Sequence, residues 1–379
     1  MVVTATMVKK TQPKKSQPKA TKMPKPPSTP SLAAPATPSP TLDTKHQQRL
    51  LNIFSSAFQP VLSSDALSEL LQGVKQALFN RDFALAFGRE DYLEAYAARW
   101  SPTRALCYAS VLQGVVREHL DDLLAEVDDA SGEQKQEEGD CQAPASGDDA
   151  NEDALPRQRV SMISIGGCAA EHVAFASLLH SEHILGDLTL VDSAPWSNIV
   201  NLLQTAITTA PPLSKYASAA AKASNAALIP SSQLSLSFQQ LDILDDAVNL
   251  ESLLGSQPVL VTLFFTLNEL YTSGGIAKTT KFLSKLEKTL PKRSLLLVVD
   301  SPGSYSEAAV GKEKKRYPLQ WLLDHTLRDP RNDTPSWERL ESQESVWFRL
   351  PKELSYPMQL EDMRYQIHLY RLRGEADKE

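Results

Sequence analysis

SIGGCAAEHVAF (Ser164–Phe175) carries an apolar, β-branched run, Val160–Ile165, through two glycines into a helix-length segment. A glycine turn between strand and helix lets a ligand approach the free amides at the helix start. The stretch therefore reads as the first strand of a sheet and as the floor of a ligand crevice. The same alternation continues through Leu188–Val191, Leu236–Leu241, Val259–Phe264 and Leu295–Val299, each followed by a helix-length segment, which is the signature of a parallel sheet with crossover helices. Ser345–Leu350 and Tyr365–Leu372 follow with no obvious long helix between them and are expected to pair antiparallel. The fold class read from this pattern is α/β, a Rossmann-like and mostly parallel seven-stranded sheet over residues 158–373, with no internal repeat.

Upstream, residues 46–127 read as a helical extension. Leu67, Leu70, Leu71, Val74 and Leu78 recur at helical spacing after Ser64, a candidate N-cap. Leu106, Ala109, Leu112, Val116, Leu120, Leu123 and Val127 do so over a longer span, entered at Trp100-Ser101-Pro102, where Ser101 suits the cap and Pro102 the first helical position. Before it, RDFALAFGREDYLEAYAARW (Arg81–Trp100) is dense in aromatics and arginines. That composition serves either a helix–helix core edged by ion pairs or RNA stacking.

The 379 residues are enough for two to three domains, or for one α/β domain with extensions. Apolar residues make up 42%, and the deficit is local. Residues 1–45 form a basic Pro/Lys-rich tail, with seven lysines and no acid up to Pro27, and residues 128–157 an insert inside a run of eleven acids against one lysine. Neither composition can pack a core, and both are expected to be disordered. Of the net charge of −7, the tail carries seven positive and the acidic run ten net negative charges, leaving −4 on the body. The overall acidity thus conceals a basic arm and does not exclude RNA. The arm is either a solubilising extension or a contact for nucleic acid and nuclear or nucleolar targeting, and its lack of arginine argues against a mitochondrial transit peptide. No run approaches the roughly 20 apolar residues of a membrane span, and the N-terminus has no signal-peptide core, so a soluble intracellular protein without a membrane partner is expected. Cys107, Cys141 and Cys168 are scattered, with no disulfide or zinc spacing.

Three strand ends carry chemistry. Beyond the Gly166 turn, the second strand ends at Asp192 in TLVDSAPW, where an acid can accept hydrogen bonds from both hydroxyls of a ribose. The third ends in QLDIL, where Asp242 or the adjacent backbone can bond the exocyclic amine of adenine. Each aspartate can equally cap the next helix. There is no GxxxxGK[ST] loop, no GxSxG elbow and no HExxH pair, and Gly-Gly-Cys-Ala-Ala is a poor dinucleotide fingerprint.

On this order of elements, Arg159 to Arg373 resembles the class I S-adenosylmethionine-dependent methyltransferases. The usual GxGxG is represented only by Gly166, with Cys168 and Ala170 at the later glycine positions and Ser164 at the common acidic one. The resemblance implies S-adenosyl-L-methionine over Gly166, Gly167, Cys168 and Glu171, with Asp192 and Ser193 at its ribose, Asp242 and Ile243 at its adenine, and Phe265 beside it. No metal is implied. With RDFALAFGREDYLEAYAARWSPTRALCY, SIGGCAAE, LVDSAPW, LDIL and LFFTLNELY together, residues 48 to 373 outside the insert look like the fungal family of 25S ribosomal RNA uridine-N3 methyltransferases. That likeness implies ribosomal RNA or a pre-ribosomal particle as partner, a nuclear, nucleolar or cytoplasmic site of action, and a chain taken as a monomer.

Methylating uridine N3 removes an imide proton as the methyl group moves in line from sulfur, so a base or polar group must stand close to N3. FFTLNELYTSGG (Phe264–Gly275) follows the fourth strand, where this superfamily holds its target. There Asn268 can bond a uracil carbonyl, Glu269 can take the proton, and Phe265 or Tyr271 can stack on the ring. Alternatively Asn268 and Glu269 cap the next helix and the phenylalanines are core. Lys312, Lys314, Lys315 and Arg316 either neutralise phosphates at the rim or begin a solvated helix. Two rival functions remain open: a non-catalytic ribosome-assembly factor that has lost cofactor binding, and a methyltransferase of protein or a small molecule.

Overall fold

Leu260–Phe264 and Leu295–Asp300 are buried at every position, which a strand achieves only inside a sheet covered on both faces. The computed structural model describes residues 42–126, 158–166, 168–223, 225–303, 305–310, 313–328 and 335–374. Its strands are β1 (Ala125–Glu126), β2 (Gln158–Ile165), β3 (Leu185–Asp192), β4 (Leu234–Gln240), β5 (Leu260–Phe264), β6 (Leu295–Asp300), β7 (Tyr305–Val310), β8 (Glu313–Pro318), β9 (Trp337–Phe348) and β10 (Met363–Leu372). The main sheet runs β4-β3-β2-β5-β6-β10-β9. Its first five strands are parallel, and β10 lies antiparallel to both β6 and β9. The order reverses at β2, between β3 and β5, and an open α/β sheet forms its ligand crevice beyond the strand ends at such a reversal.

Alternation along the strands feeds two cores. On one face Val160, Met162, Leu260, Ile367 and Leu369 meet the Ala170–Glu182 and Ser197–Thr208 helices. On the other, Ile163, Ile165, Val261, Tyr370 and Leu372 meet Gly275–Thr289 and Leu319–Leu327. The N-terminal helices join the first core rather than forming their own. Ser101–Val111 packs on Ala170–Glu182, and Thr44–Ala57 packs on Ser197–Thr208. The Tyr108 ring sits 4.4 Å from Phe264 at the end of β5. The Ser101–Val111 helix also contacts β10, so the extension lies against the sheet itself, with Tyr108 bridging the two.

Several expectations are corrected by this packing. The stripe from Leu106 is not one α-helix: it is α-helical to Val111, passes through a π turn at Leu112–Val116 and a 3₁₀ stretch at Arg117–Asp122, and ends in β1. β1 pairs with Gln158 and Arg159, below the level where β5 begins to pair with β2 at Met162. That vacancy beside β2 draws the chain out of the helix, and a two-residue strand has no periodicity to betray it. Ser101 is the first helical residue, and its buried hydroxyl has no partner, so it is not the cap. Ser64 accepts from the Ala66 amide in the preceding turn instead of capping Leu67–Phe79. The sixth strand begins at Trp337, eight residues before the expected Ser345, because this edge strand is polar along ERLESQES and shows no apolar run. Glu313–Pro318 is a strand paired with Tyr305–Val310, not a helix start. Lys312, Val127, Cys141, the insert and the tail up to residue 41 lie outside the described residues, and a helix already begins at Thr44.

Because extension and sheet share a core, urea unfolding of the full chain should be a single transition with coincident fluorescence and circular-dichroism curves. Tyr108→Ala should cost about 3–5 kcal/mol, the usual loss for a buried aromatic. Separate transitions for the two regions would contradict the shared core.

Candidate functional site

The cleft opens where β2, β3, β4 and β5 end, because hydrogen bonds carry the pairing one residue past each strand. The Gly166 amide donates to Val191 O at 2.7 Å, the Leu241 amide to Asp192 O at 2.9 Å, and the Phe265 amide to Val299 O at 2.7 Å. Four loops therefore start side by side around a cavity of about 460 Å³. Gly166 has φ +68°, and a Cβ there would lie 2.3 Å from Thr266 Cγ2. The Thr266 hydroxyl donates to Gly166 O at 3.2 Å, so this contact between the β2 and β5 loops requires glycine.

Of the residues singled out from the sequence, Gly166, Cys168, Glu171, Asp192, Ser193, Asp242, Ile243, Phe265 and Glu269 all line the cavity. Gly167 lies outside the described residues. Two expected residues are not on the cleft. Tyr271 is buried in the second core, two residues beyond Glu269 and so on the opposite side of the helical turn. Asn268 is half-buried, absent from the lining, and gives its backbone amide to Asp300 Oδ2 at 3.1 Å. Asp192 and Asp242 each accept the amide two residues on, Ala194 at 2.8 Å and Leu244 at 2.9 Å. They therefore close turns and line the cleft at once. Phe264 is a core residue that also lines the cavity, and Phe265, at φ +57°, is half-buried beside it and lines the cavity too.

The N-terminal helices supply a wall that the sequence did not reveal: Phe83, Phe87, Tyr96, Ser101 and Arg104. Tyr96 and Phe87 stack edge to face 5.1 Å apart, and Tyr96 meets Trp196 of the β3 loop at 5.9 Å. The Arg104 guanidinium lies 5.2 Å over the Phe265 ring and donates to the Tyr96 hydroxyl. The available signal was an arginine set among the buried Thr103, Ala105 and Leu106, since a charge on an apolar helix face needs a reason. RDFALAFGREDYLEAYAARW proves to be both core and cleft lining.

Confinement dominates the electrostatics. Burial pushes Glu171 up to about 7 against the pull of the Arg104 charge, with Asp192 pushing it further up. Burial also raises Asp192 to about 6, opposed by the Ala194 amide. Burial raises Glu269 to about 7, opposed by Arg104 and reinforced by Asp192 and Asp300. Cys168 is pushed well above the ordinary thiol range, first by burial and then by Asp192 and Glu171, which favours the neutral thiol. Glu171 Oε2 and Ser101 Oγ are buried with no hydrogen-bond partner, and such orphaned atoms call for a ligand to satisfy them. Three carboxyls around a pocket sealed by aromatics suit a cationic molecule with hydroxyl and amine donors, and S-adenosylmethionine, a sulfonium with an ammonium and a ribose, has that chemistry.

Glu171 also predicts a stability trade. Its folded pKa lies above the unfolded one, so the folded state binds more protons between about pH 4.5 and 7, and stability falls as pH rises through that window. Without ligand, Glu171→Gln should melt higher than the parent at pH 8, and the difference should shrink toward pH 5. An equal gain at both pH values would show that the carboxyl is not held neutral.

A curated relative from Saccharomyces cerevisiae, named 25S rRNA (uridine(2843)-N(3))-methyltransferase, is 29% identical over 344 residues, covering 85% of each chain. Two solved structures match at low identity and low TM-score. A SAM-dependent methyltransferase from Methanosarcina mazei is 10% identical, with TM-score 0.31 over 57% of this chain and 93% of its own. An O-methyltransferase family protein from Burkholderia thailandensis is 10% identical, with TM-score 0.34 over 83% and 74%. Among the described residues no helix is long and apolar enough to cross a membrane. The family model described as "Putative SAM-dependent methyltransferase" matches residues 54–371, taking in both the helical extension and the sheet, and the chain belongs to that family.

Proposed function

We propose that this chain transfers the methyl group of S-adenosylmethionine to N3 of a uridine in large-subunit ribosomal RNA. Kinship with the yeast enzyme named for that reaction, over 85% of both chains, carries the choice of target. In this reading the cofactor supplies an electrophilic methyl group on a positively charged sulfur, and the chain supplies everything else. Asp192 would accept the ribose hydroxyls, the Leu241–Ile243 segment would face the adenine, the unpartnered Glu171 oxygen would take the ammonium, and Arg104 would take the carboxylate of the methionine end. The small side chains of Cys168 and Ala170, at positions where relatives of this fold often have glycine, leave the loop open to it.

Glu269 stands on the wall from which a target base would enter, beside Phe265 and Arg104. A carboxylate raised to about 7 is half-ionised near neutrality, the compromise that general-base catalysis favours. The N3–H bond breaks as the N–CH₃ bond forms, and the proton passes to Glu269 while sulfur leaves as a neutral thioether. Phe265 offers a ring for the uracil to stack on, and the Phe83–Phe87–Tyr96 wall keeps water from the reacting atoms. Asn268 and Tyr271 have no direct part in this reading. The substrate class implies action on pre-ribosomal particles or the ribosome, in the nucleolus or cytoplasm.

Titration calorimetry should show S-adenosylmethionine binding that Asp192→Ala weakens by at least ten-fold. With labelled cofactor and rRNA from cells lacking the mark, nucleoside analysis should give 3-methyluridine, with a rate rising through about pH 7 to a plateau. Glu269→Gln should lower the rate about 10²- to 10⁴-fold and flatten the profile while leaving cofactor affinity near that of the parent. A folded chain that binds no cofactor would instead favour an assembly factor, and label on protein alone would move the substrate to another class.

A further inference from the structure

We propose that the surface formed by Trp321 on the Leu319–Leu327 helix and Trp347 on the adjoining edge strand β9 binds single-stranded RNA flanking the nucleotide in the cleft. The inference rests on the reading of the chain as an RNA methyltransferase and names a surface for the substrate outside the cofactor pocket. Two observations meet there.

The first is a row of rings. Tyr317, Trp321 and His325 recur every fourth residue, with centroids 5.0 Å apart at both steps and planes within 19° and 18° of parallel. The helix buries Leu319, Leu322, Leu323 and Leu327; Tyr317 anchors the row on the second core, while His325 is exposed and Trp321 is 48% exposed. The second is Trp347, 51% exposed on edge strand β9. The Arg349 guanidinium lies 4.1 Å from its ring centre and that of Arg364 5.6 Å. Both arginines are tethered, Arg349 to Asp362 at 2.7 Å and Arg364 to Ser345 Oγ at 2.8 Å, which holds the guanidinium planes in place for stacking.

Register puts the two platforms on one face. Trp347 pairs with Arg364 on β10, and Arg364 shares its face with His368 four residues on, about 13 Å along the strand. His368 bonds the Ser342 hydroxyl at 2.9 Å, and Gln320, next to Trp321, donates to the same hydroxyl at 3.1 Å. The face also reaches the cleft edge: β6 stops pairing with β10 at Asp300–Gln366, so Arg364 and Trp347 stand beyond the strand end where the crevice opens. In sequence, Lys314, Lys315 and Arg316 of β8 lead directly into Tyr317.

Chemistry selects the occupant. The exposed leucines, Leu85 and Leu213, lie on other elements, so the platforms present aromatic and guanidinium planes without the aliphatic surface a protein partner would bury. Every base has a π-face to stack on such planes, and Arg364, held by the neutral Ser345 hydroxyl and not by an acid, can neutralise a phosphate between them.

The test uses the full-length chain, fluorescein-labelled dodecauridylate as probe, and Trp321→Ala, Trp347→Ala and Arg364→Ala. Each tryptophan variant should weaken binding about ten-fold, the scale of one lost base stack, and Trp→Phe should recover part of it. Arg364→Ala should also make the salt dependence shallower. Melting temperature and cofactor affinity should stay at parental values. Parental RNA affinity in all three variants, or no probe binding by the parent, overturns the proposal. The reading beneath it is judged separately: parental KM for rRNA in the variants sinks the surface while transfer to rRNA stands, whereas absence of rRNA transfer by the parent sinks that reading.

Discussion

Three hydrogen bonds, from the Gly166, Leu241 and Phe265 amides to the carbonyls of Val191, Asp192 and Val299, hold the strand ends of the sheet in line one residue beyond regular pairing. Everything at the cleft depends on that alignment. Parallel strands have evenly spaced, slanted bonds, so their ends can be brought level only if each loop departs at the same height. Gly166 makes this possible by combining a positive φ with a separation from Thr266 that no side chain would allow. The aspartates then close their own turns, which fixes one oxygen and aims the carboxylate into the cavity.

The helical extension turns this open edge into a pocket. By burying Tyr108 against Phe264, it brings Arg104, Tyr96 and Ser101 over the Gly166 turn and seals Glu171 from water. Sealing has an electrostatic cost: three carboxyls are raised toward neutrality because desolvation penalises their charge. A cleft of this kind is poorly satisfied when empty and gains most from a cationic ligand. The strain between stability and binding is therefore concentrated at Glu171, which is buried and only partly opposed by Arg104.

The part of the cavity lining at the ends of β2, β3 and β4 was largely legible beforehand because its signals are local. A glycine turn after a strand, and an acid at the end of each of the next two strands, are separated by spacings that a βαβ unit sets by its own length. The segment after β5 was less legible. LFFTLNELY looked like a run of equivalent candidates, yet Tyr271 goes into the core while Glu269, two residues earlier and so on the opposite side of the helical turn, stays on the wall. Which of the two sides faces the cavity is decided by how the turn settles on the sheet.

What the sequence by itself determined is the α/β class, the order of seven strands, and the identity of the acids at the crevice, because strand periodicity and turn chemistry act over a few residues. What only the tertiary structure decided is the other wall. Arg104 lies 62 positions before Gly166 along the chain, Trp321 and Trp347 lie on different elements, and β1 forms only because β5 begins late beside β2. Such neighbours are set by how helices settle on a finished sheet, and the free energy of that settling belongs to surfaces, not to any stretch of sequence read alone.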